Sequence, residues 1–194
     1  VGVDPAISTD GDYNVIIVLE VDEQKNKRVI YVDRQKNVEF RENINKIKMV
    51  ANLFDPDIIY FETNTFAKSF TQELRNETDL NVRDVTMTRR KKEEIILNLQ
   101  MNIENTKIIF PRGNEESRTV TDNIIEELSM FSITDSGKFE GVGAHDDLVM
   151  GLALANSATH DMLESFVLLD DMGIFDNEKP QASIMGGGLL GLNF

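Results

Sequence analysis

Apolar positions along this chain switch between two spacings. Three early runs are dense in aliphatic and β-branched residues: Val1 to Asp4, Asn14 to Val21 (N-V-I-I-V-L-E-V) and Arg28 to Asp33. The polar stretch Asp22 to Lys27 separates the second from the third, so this pair predicts a hairpin. The period then lengthens. Ile44, Ile47, Val50, Ala51 and Phe54 recur at helical spacing, and Asp55-Pro56 closes that helix. Asp57 to Phe61 predicts a buried strand ending at Glu62, followed by a helix from about Phe66 to Glu77 and a strand from Val82 to Met87.

The same alternation continues. A third helix follows Arg89-Arg90-Lys91-Lys92 and runs to about Asn105, and Lys107 to Phe110 predicts a short strand stopped by Pro111-Arg112-Gly113. Glu115 to Met130 predicts a fourth helix, with Ile124, Ile125, Leu128 and Phe131 apolar. Phe131 to Gly143 predicts a hairpin turned at Asp135-Ser136-Gly137, and a last helix spans about Asp146 to Ser157. Three antiparallel strands followed by alternating strands and helices give an α/β fold: a mixed sheet with parallel βα units and helices on both faces. After about His160 the periodicity decays, and Met185-Gly186-Gly187-Gly188 with its apolar end reads as a flexible or partner-docking tail. The expected organisation is one domain over residues 1–160 and a C-terminal tail over 161–194.

Composition narrows this picture. With 194 residues and 41% hydrophobic content, the chain can bury one core of ordinary size. It contains no cysteine, which excludes disulfides, thiolate nucleophiles and thiolate metal sites. No apolar run approaches the roughly 20 residues of a membrane span, and no signal-peptide pattern opens the chain, so no membrane partner is expected. The sequence starts at Val1, already inside a strand, and reads as a fragment of a longer protein. A formal charge of −14 argues against a domain that grips nucleic acid by its overall field. Arg89 to Lys92 is the one dense cationic cluster. It is either a solvated, charged helix start or a contact for phosphates that nearby acids would otherwise repel.

Three positions carry candidate chemistry. Asp4 ends a short apolar strand before Pro5, and Glu62 ends a strand that looks central to the sheet. Acids at the carboxyl ends of such strands point into the crevice where ligands bind; a turn-forming Asp and an exposed strand-end Glu are the plainer readings. Asp146 and Asp147 open a helix that is then almost wholly apolar from Leu148 to Ala155, hence buried. The helix dipole favours an acid there, but two adjacent acids repel, and a divalent cation relieves that repulsion. Such a set suits hard cations, Mg²⁺ or Mn²⁺, as one or two ions. Two ions about 3.5–4 Å apart would activate a water and stabilise the leaving oxygen of a cut phosphodiester. The chain has no G-x-x-x-x-G-K-[ST] loop, no G-x-G-x-x-G after a strand and no H-E-x-x-H, and only His145 and His160 as histidines.

Three segments together resemble a known family. D-P-A-I-S-T-D-G-D-Y from Asp4 to Tyr13, I-I-Y-F-E-T-N from Ile58 to Asn64 and H-D-D-L-V-M-G-L-A-L-A from His145 to Ala155 are similar to the nuclease domain of large terminase subunits of tailed bacteriophages. The similarity covers about residues 1–160. It implies a ribonuclease H-like fold, shared with Holliday-junction resolvases, and a metal-binding catalytic triad of Asp4, Glu62 and Asp147. Asp147 is preferred to Asp146 because the family's acid in this motif lies three residues ahead of the Met150 position. Asp146 is then a supporting or alternative ligand, Asp12 a supporting acid, and His145 either orients Asp147, contacts phosphate or lies at the surface as a helix-entry residue.

The resemblance further implies a Mg²⁺- or Mn²⁺-dependent endonuclease that cuts double-stranded DNA during viral genome packaging. An N-terminal ATPase motor domain of the same full-length chain, absent from this fragment, would hold the DNA. Portal and small terminase subunit are the implied partners, and the cytoplasm of the infected bacterial host is the implied location. DNA contacts would come from Arg89, Arg90, Lys91 and Lys92. Two alternatives stand beside it: a structure-specific resolvase on the same fold, and a ribonuclease H-like module that only binds.

Overall fold

A computed structural model of the chain describes residues 1–6, 13–63, 68–133, 139–141 and 146–171. Three strands come first, β1 (Gly2–Asp4), β2 (Tyr13–Val21) and β3 (Lys27–Lys36), then helix α1 (Phe40–Phe54). Strand β4 (Ile59–Glu62), helix α2 (Lys68–Glu77), strand β5 (Val82–Val85), helix α3 (Arg89–Glu104) and strand β6 (Ile108–Ile109) follow. The chain continues through α4 (Glu115–Met130), β7 (Phe131–Ile133), β8 (Phe139–Gly141) and α5 (Asp147–Asp171).

Six strands form one mixed sheet in the order β5-β4-β1-β2-β3-β6. The first three pair antiparallel, whereas β4 runs parallel to β1, β5 parallel to β4 and β6 parallel to β3. This is the predicted mixed sheet. Strand β2 is buried on both faces because it lies inside the sheet: Val15, Ile17 and Leu19 join one core, Ile16 and Val18 the other. The first core packs α3, α4 and α5 against the sheet, and the second packs α1 and α2. Helices therefore cover both faces, as predicted. Strands β7 and β8 pair separately as an antiparallel ribbon; the predicted turn between them lies outside the described residues.

Helix α1 shows how local sequence builds these elements. Its buried residues include the predicted stripe Ile44, Ile47, Val50 and Ala51. Asp55 then takes a left-handed conformation (φ 44°) with its N–H donating to Ala51 O, and Pro56 cannot continue the helix.

Three elements depart from expectation. Helix α3 begins at Arg89, so the basic cluster is its first turn; Thr88 sets that start by accepting from Lys91 N–H at 3.1 Å. Helix α5 continues to Asp171, well past the predicted end at Ser157. Its wholly buried stretch stops at Thr159 and His160 is exposed, but a helix needs only one apolar stripe to continue. Residues 172–194, including the glycine-rich run, lie outside the described residues.

Lys27 is the third departure. The polar run from Asp22 places it in the hairpin loop, yet it opens β3 with only 4% exposure. Its ammonium donates to Asn102 Oδ1 at 2.9 Å and Asn156 Oδ1 at 2.7 Å, and Asn156 Nδ2 donates to Asn98 Oδ1 at 3.0 Å. This polar seam ties β3 to α3 and α5. Burial pushes the Lys27 pKa down to about 8.

Candidate active site

The close approach of α5 to β1 sets the geometry of the site. A Cβ added at Gly2 would stand 2.3 Å from both Gly151 O and Ala155 N, and one at Gly151 would stand 2.6 Å from Val15 Cγ1. Only a glycine at position 2 lets the β1 backbone meet that of α5, while Gly151 lets the helix lie close on the Val15 side chain of β2. Together they fix α5 in depth against the sheet. From Gly2, two residues along β1 reach Asp4. From Gly151, one helical turn back reaches Asp147, the first residue of α5. The two steps are nearly equal, roughly 6.6 Å along the strand and 6 Å along the helix, so both acids arrive at the same end of the sheet.

Glu62 arrives by strand register. Gly2 pairs with Tyr60 and Val3 with Phe61 across β1 and β4, which brings Asp4 and Glu62 level at the next position. Val3 and Phe61 belong to the α1–α2 core, while Tyr60 belongs to the α5 core. Side chains alternate along strands, so Asp4 and Glu62 both project toward α5.

The electrostatics follow from this crowding. Burial, then the charges of Glu62, Asp147 and Asp146, hold the Asp4 carboxyl well above its ordinary range, with Lys92 acting in the opposite sense. Burial also raises Glu62, with Lys92 opposing and Asp146 adding to the rise. Asp147 is only 8% exposed. The structure thus brings Asp4, Glu62, Asp146 and Asp147 together. Among the described residues no three of these acids are drawn as tightly together as a shared ion requires, and a lysine stands among them. Asp12 and His145 lie outside the described residues.

The basic cluster divides. Lys92 Nζ donates to Asp146 Oδ2 at 2.9 Å and lies 5.7 Å from the centre of the Phe131 ring. Lys91 Nζ pairs with Glu94 at 2.7 Å on its own helix. Arg89 and Arg90 are exposed. Four cations in the first turn of a helix oppose its dipole, an arrangement that calls for anions nearby. Asp146, Asp4 and Glu62 supply some of that negative charge through Lys92.

Sequence patterning did not reveal one buried acid. Glu127, 8% exposed, reaches from α4 to the start of α5, where its Oε2 accepts from Leu148 N–H at 2.9 Å. Its Oε1 meets Arg34 Nη2 at 2.5 Å, and the Arg34 guanidinium sits 3.8 Å over the Tyr13 ring. Ile125, one of the apolar positions of this helix, is instead 43% exposed. The available signal was spacing: Glu127 lies three residues after Ile124, on the buried face.

A family model described as the terminase RNaseH-like domain matches residues 1–158. Among curated proteins none matches. The chain is similar to the large terminase nuclease of thermophilic phage G20c with bound magnesium, at 24% identity and TM-score 0.65, over 80% of this chain and 78% of that one. The same nuclease with bound zinc aligns at 23% identity and TM-score 0.60, over 80% and 78% of the chains. With bound cobalt it aligns at 21% and 0.56, over 77% and 82%.

Proposed function

Because the chain belongs to the terminase RNaseH-like domain family, we propose that it is a divalent-metal-dependent endonuclease that cuts double-stranded DNA during viral genome packaging. The observation that carries this reading is the convergence of Asp4, Glu62, Asp146 and Asp147, where burial and the neighbouring acids penalise the charges of Asp4 and Glu62. A protein holds such a cluster at a cost in stability, which a bound cation offsets.

The donor chemistry fits that cation, and an ion would draw together acids that, among the described residues, stand farther apart without it. All the candidate ligands are carboxylate oxygens, the hard donors that Mg²⁺ and Mn²⁺ prefer. Asp4, Glu62 and Asp147 would hold the metal, with Asp146, already on Lys92, supporting. Bound there, one or two divalent ions would supply Lewis acidity to the scissile phosphate and its attacking water. The magnesium, zinc and cobalt carried by the phage G20c nuclease support a divalent site.

The remaining tasks fall to this chain's own side chains. Lys92 moderates the repulsion among the acids when no metal is bound. Arg89 and Arg90, exposed on the same first turn, hold DNA phosphates beside the site. With a net charge of −14 the domain binds DNA weakly by itself and relies on an ATPase motor domain of the same full-length chain to present it. Portal and small terminase subunit are the further partners of this reading, and the infected host's cytoplasm its setting. Among the described residues no helix is long and apolar enough to cross a membrane.

The test is cleavage of plasmid DNA in millimolar Mg²⁺ or Mn²⁺ and in excess EDTA. Cutting is expected only with metal, and it should drop by orders of magnitude in Asp4→Asn, Glu62→Gln and Asp147→Asn. Efficient cutting in EDTA by the pure protein would sink the reading.

A further inference from the structure

Resting on the reading of the acids as a metal site, we propose that Glu127, fixed by Arg34, is the residue that positions Asp147 within it. The first turn of any helix leaves backbone N–H groups without partners. At α5 the residue placed to cap them, Asp146, directs Oδ2 to Lys92 instead. Glu127 supplies an acceptor from another helix: its Oε2 takes the Leu148 N–H at 2.9 Å, a buried hydrogen bond spanning 21 residues of sequence. Leu148 directly follows Asp147, so this bond fixes the peptide from which the Asp147 side chain departs.

Charge explains why a pair of residues does this. An anion at a helix start is favoured by the dipole, but another unpaired carboxylate beside Asp4, Glu62, Asp146 and Asp147 would add to their repulsion. Arg34 Nη2, 2.5 Å from Glu127 Oε1, matches that charge. The guanidinium is held in turn over Tyr13, at the N-terminal end of β2 and across from Lys36 on β3. A line of interactions therefore runs from the sheet, through Arg34 and Glu127, to the residue beside Asp147. Glu127 itself reaches the helix end and acts on the metal through Asp147.

Groups that orient metal ligands from behind typically change metal affinity by about 10–100-fold when removed. Calorimetric titration of the whole chain with Mn²⁺, alongside a thermal melt, tests the assignment. Glu127→Ala is expected to weaken Mn²⁺ binding about tenfold or more at a temperature where it is folded. Glu127→Gln keeps an oxygen for the Leu148 N–H but turns its amide N–H groups toward Arg34, so it is expected to recover part of that affinity and to bind Mn²⁺ more tightly than Glu127→Ala. Arg34→Met, which strands the Glu127 charge, is expected to weaken Mn²⁺ binding, and adding Glu127→Gln to it should restore binding.

A folded Glu127→Ala that binds Mn²⁺ as tightly as the parent overturns the proposal, since a merely structural role lowers the melting temperature alone. If Glu127→Ala does not fold, Arg34→Met decides: unchanged Mn²⁺ affinity overturns the proposal, and weakened affinity restored in the double variant supports it. The underlying metal reading fails differently. A parent that binds no Mn²⁺, or whose binding survives Asp4→Asn, would overturn both together.

Discussion

Lys92 Nζ lies 2.9 Å from Asp146 Oδ2, which sets one residue of the basic cluster among the acids rather than out on the surface. Its charge also opposes the upward shifts of Asp4 and Glu62. Lys92 thus serves in the metal-free protein as the cation of the cluster, and the four basic residues at the start of α3 are not equivalent.

The first prediction separates them. Lys92→Met should lower the metal-free melting temperature, with a destabilisation of about 1 kcal/mol as for a partly exposed ion pair. Mn²⁺ should raise that temperature by more than it does in the parent, because the ion supplies the missing positive charge. Arg89→Ala/Arg90→Ala should instead weaken DNA binding. The salt slope of that binding should become shallower by about one for each phosphate no longer neutralised. Equal metal-induced shifts in Lys92→Met and parent would remove Lys92 from the cluster's electrostatics. A parental salt slope in the double arginine variant would place the DNA path elsewhere.

The second concerns pH in the absence of metal. Asp4 and Glu62 have folded-state pKa values raised above 3.8 and 4.5, so they bind protons more tightly folded than unfolded. Their sign is therefore destabilising: the penalty is absent well below those ordinary values and grows as pH rises through the raised folded values. Thermal melts in EDTA should show Asp4→Asn gaining stability over the parent as pH climbs from about 4 toward neutrality. Saturating Mg²⁺ should abolish that advantage. A constant difference across the pH series would mean that Asp4 does not titrate as its crowding requires.

How much of this was legible in the sequence follows from range. Asp4 and Glu62 stood out as candidates because each ends an apolar strand. Strand position alone left a turn-forming Asp and an exposed strand-end Glu as open readings, and it was the family resemblance that singled them out. Asp147 could be read because the helix behind it is apolar on every side. The roles of Glu127, Lys92 and Lys27 could not. Each is a polar residue whose placement depends on a partner far along the chain, 21 residues for Glu127 and Leu148, 54 for Lys92 and Asp146, 129 for Lys27 and Asn156. Hydrophobic periodicity carries no information about such pairings. The length of α5 escaped because Thr159, His160 and Asp161 interrupt the apolar run that announced the helix, before Met162, Leu163 and Phe166 to Leu169 resume it.

The third prediction uses the buried lysine. The folded-state pKa of Lys27, about 8, is depressed from 10.5, so the unfolded chain binds its proton more tightly. The cost of burying the charge is present below about pH 8 and is relieved as pH rises toward 10.5. Relative to Lys27→Met, which has no charge to bury, the parent should gain of order 1–3 kcal/mol between about pH 7.5 and about pH 10.5. Urea denaturation of both proteins at several pH values measures this directly. Parallel stability curves would mean that the asparagines around Lys27 fully compensate its burial.

The fourth tests the seat of α5, on which the whole site depends. A methyl group at Gly2 meets main-chain atoms, Gly151 O and Ala155 N, at 2.3 Å, so either β1 or α5 must move away. At Gly151 the obstacle is the Val15 side chain at 2.6 Å, which can yield in part. Gly151→Ala also gains about 1 kcal/mol of helix propensity, offsetting some of an overpacking cost of roughly 1–3 kcal/mol. Gly2→Ala should therefore destabilise clearly more than Gly151→Ala. The two should also differ in function beyond their stability. Asp4 lies two residues beyond Gly2 on the strand and Asp147 one turn before Gly151 on the helix. A displacement at Gly2 thus passes directly into the separation of these two acids. Mn²⁺ affinity and cleavage should fall in Gly2→Ala even under conditions where it is fully folded, whereas Gly151→Ala should keep most of both. If Gly2→Ala, once folded, binds metal and cuts like the parent, the depth of α5 against β1 does not set the spacing of Asp4 and Asp147.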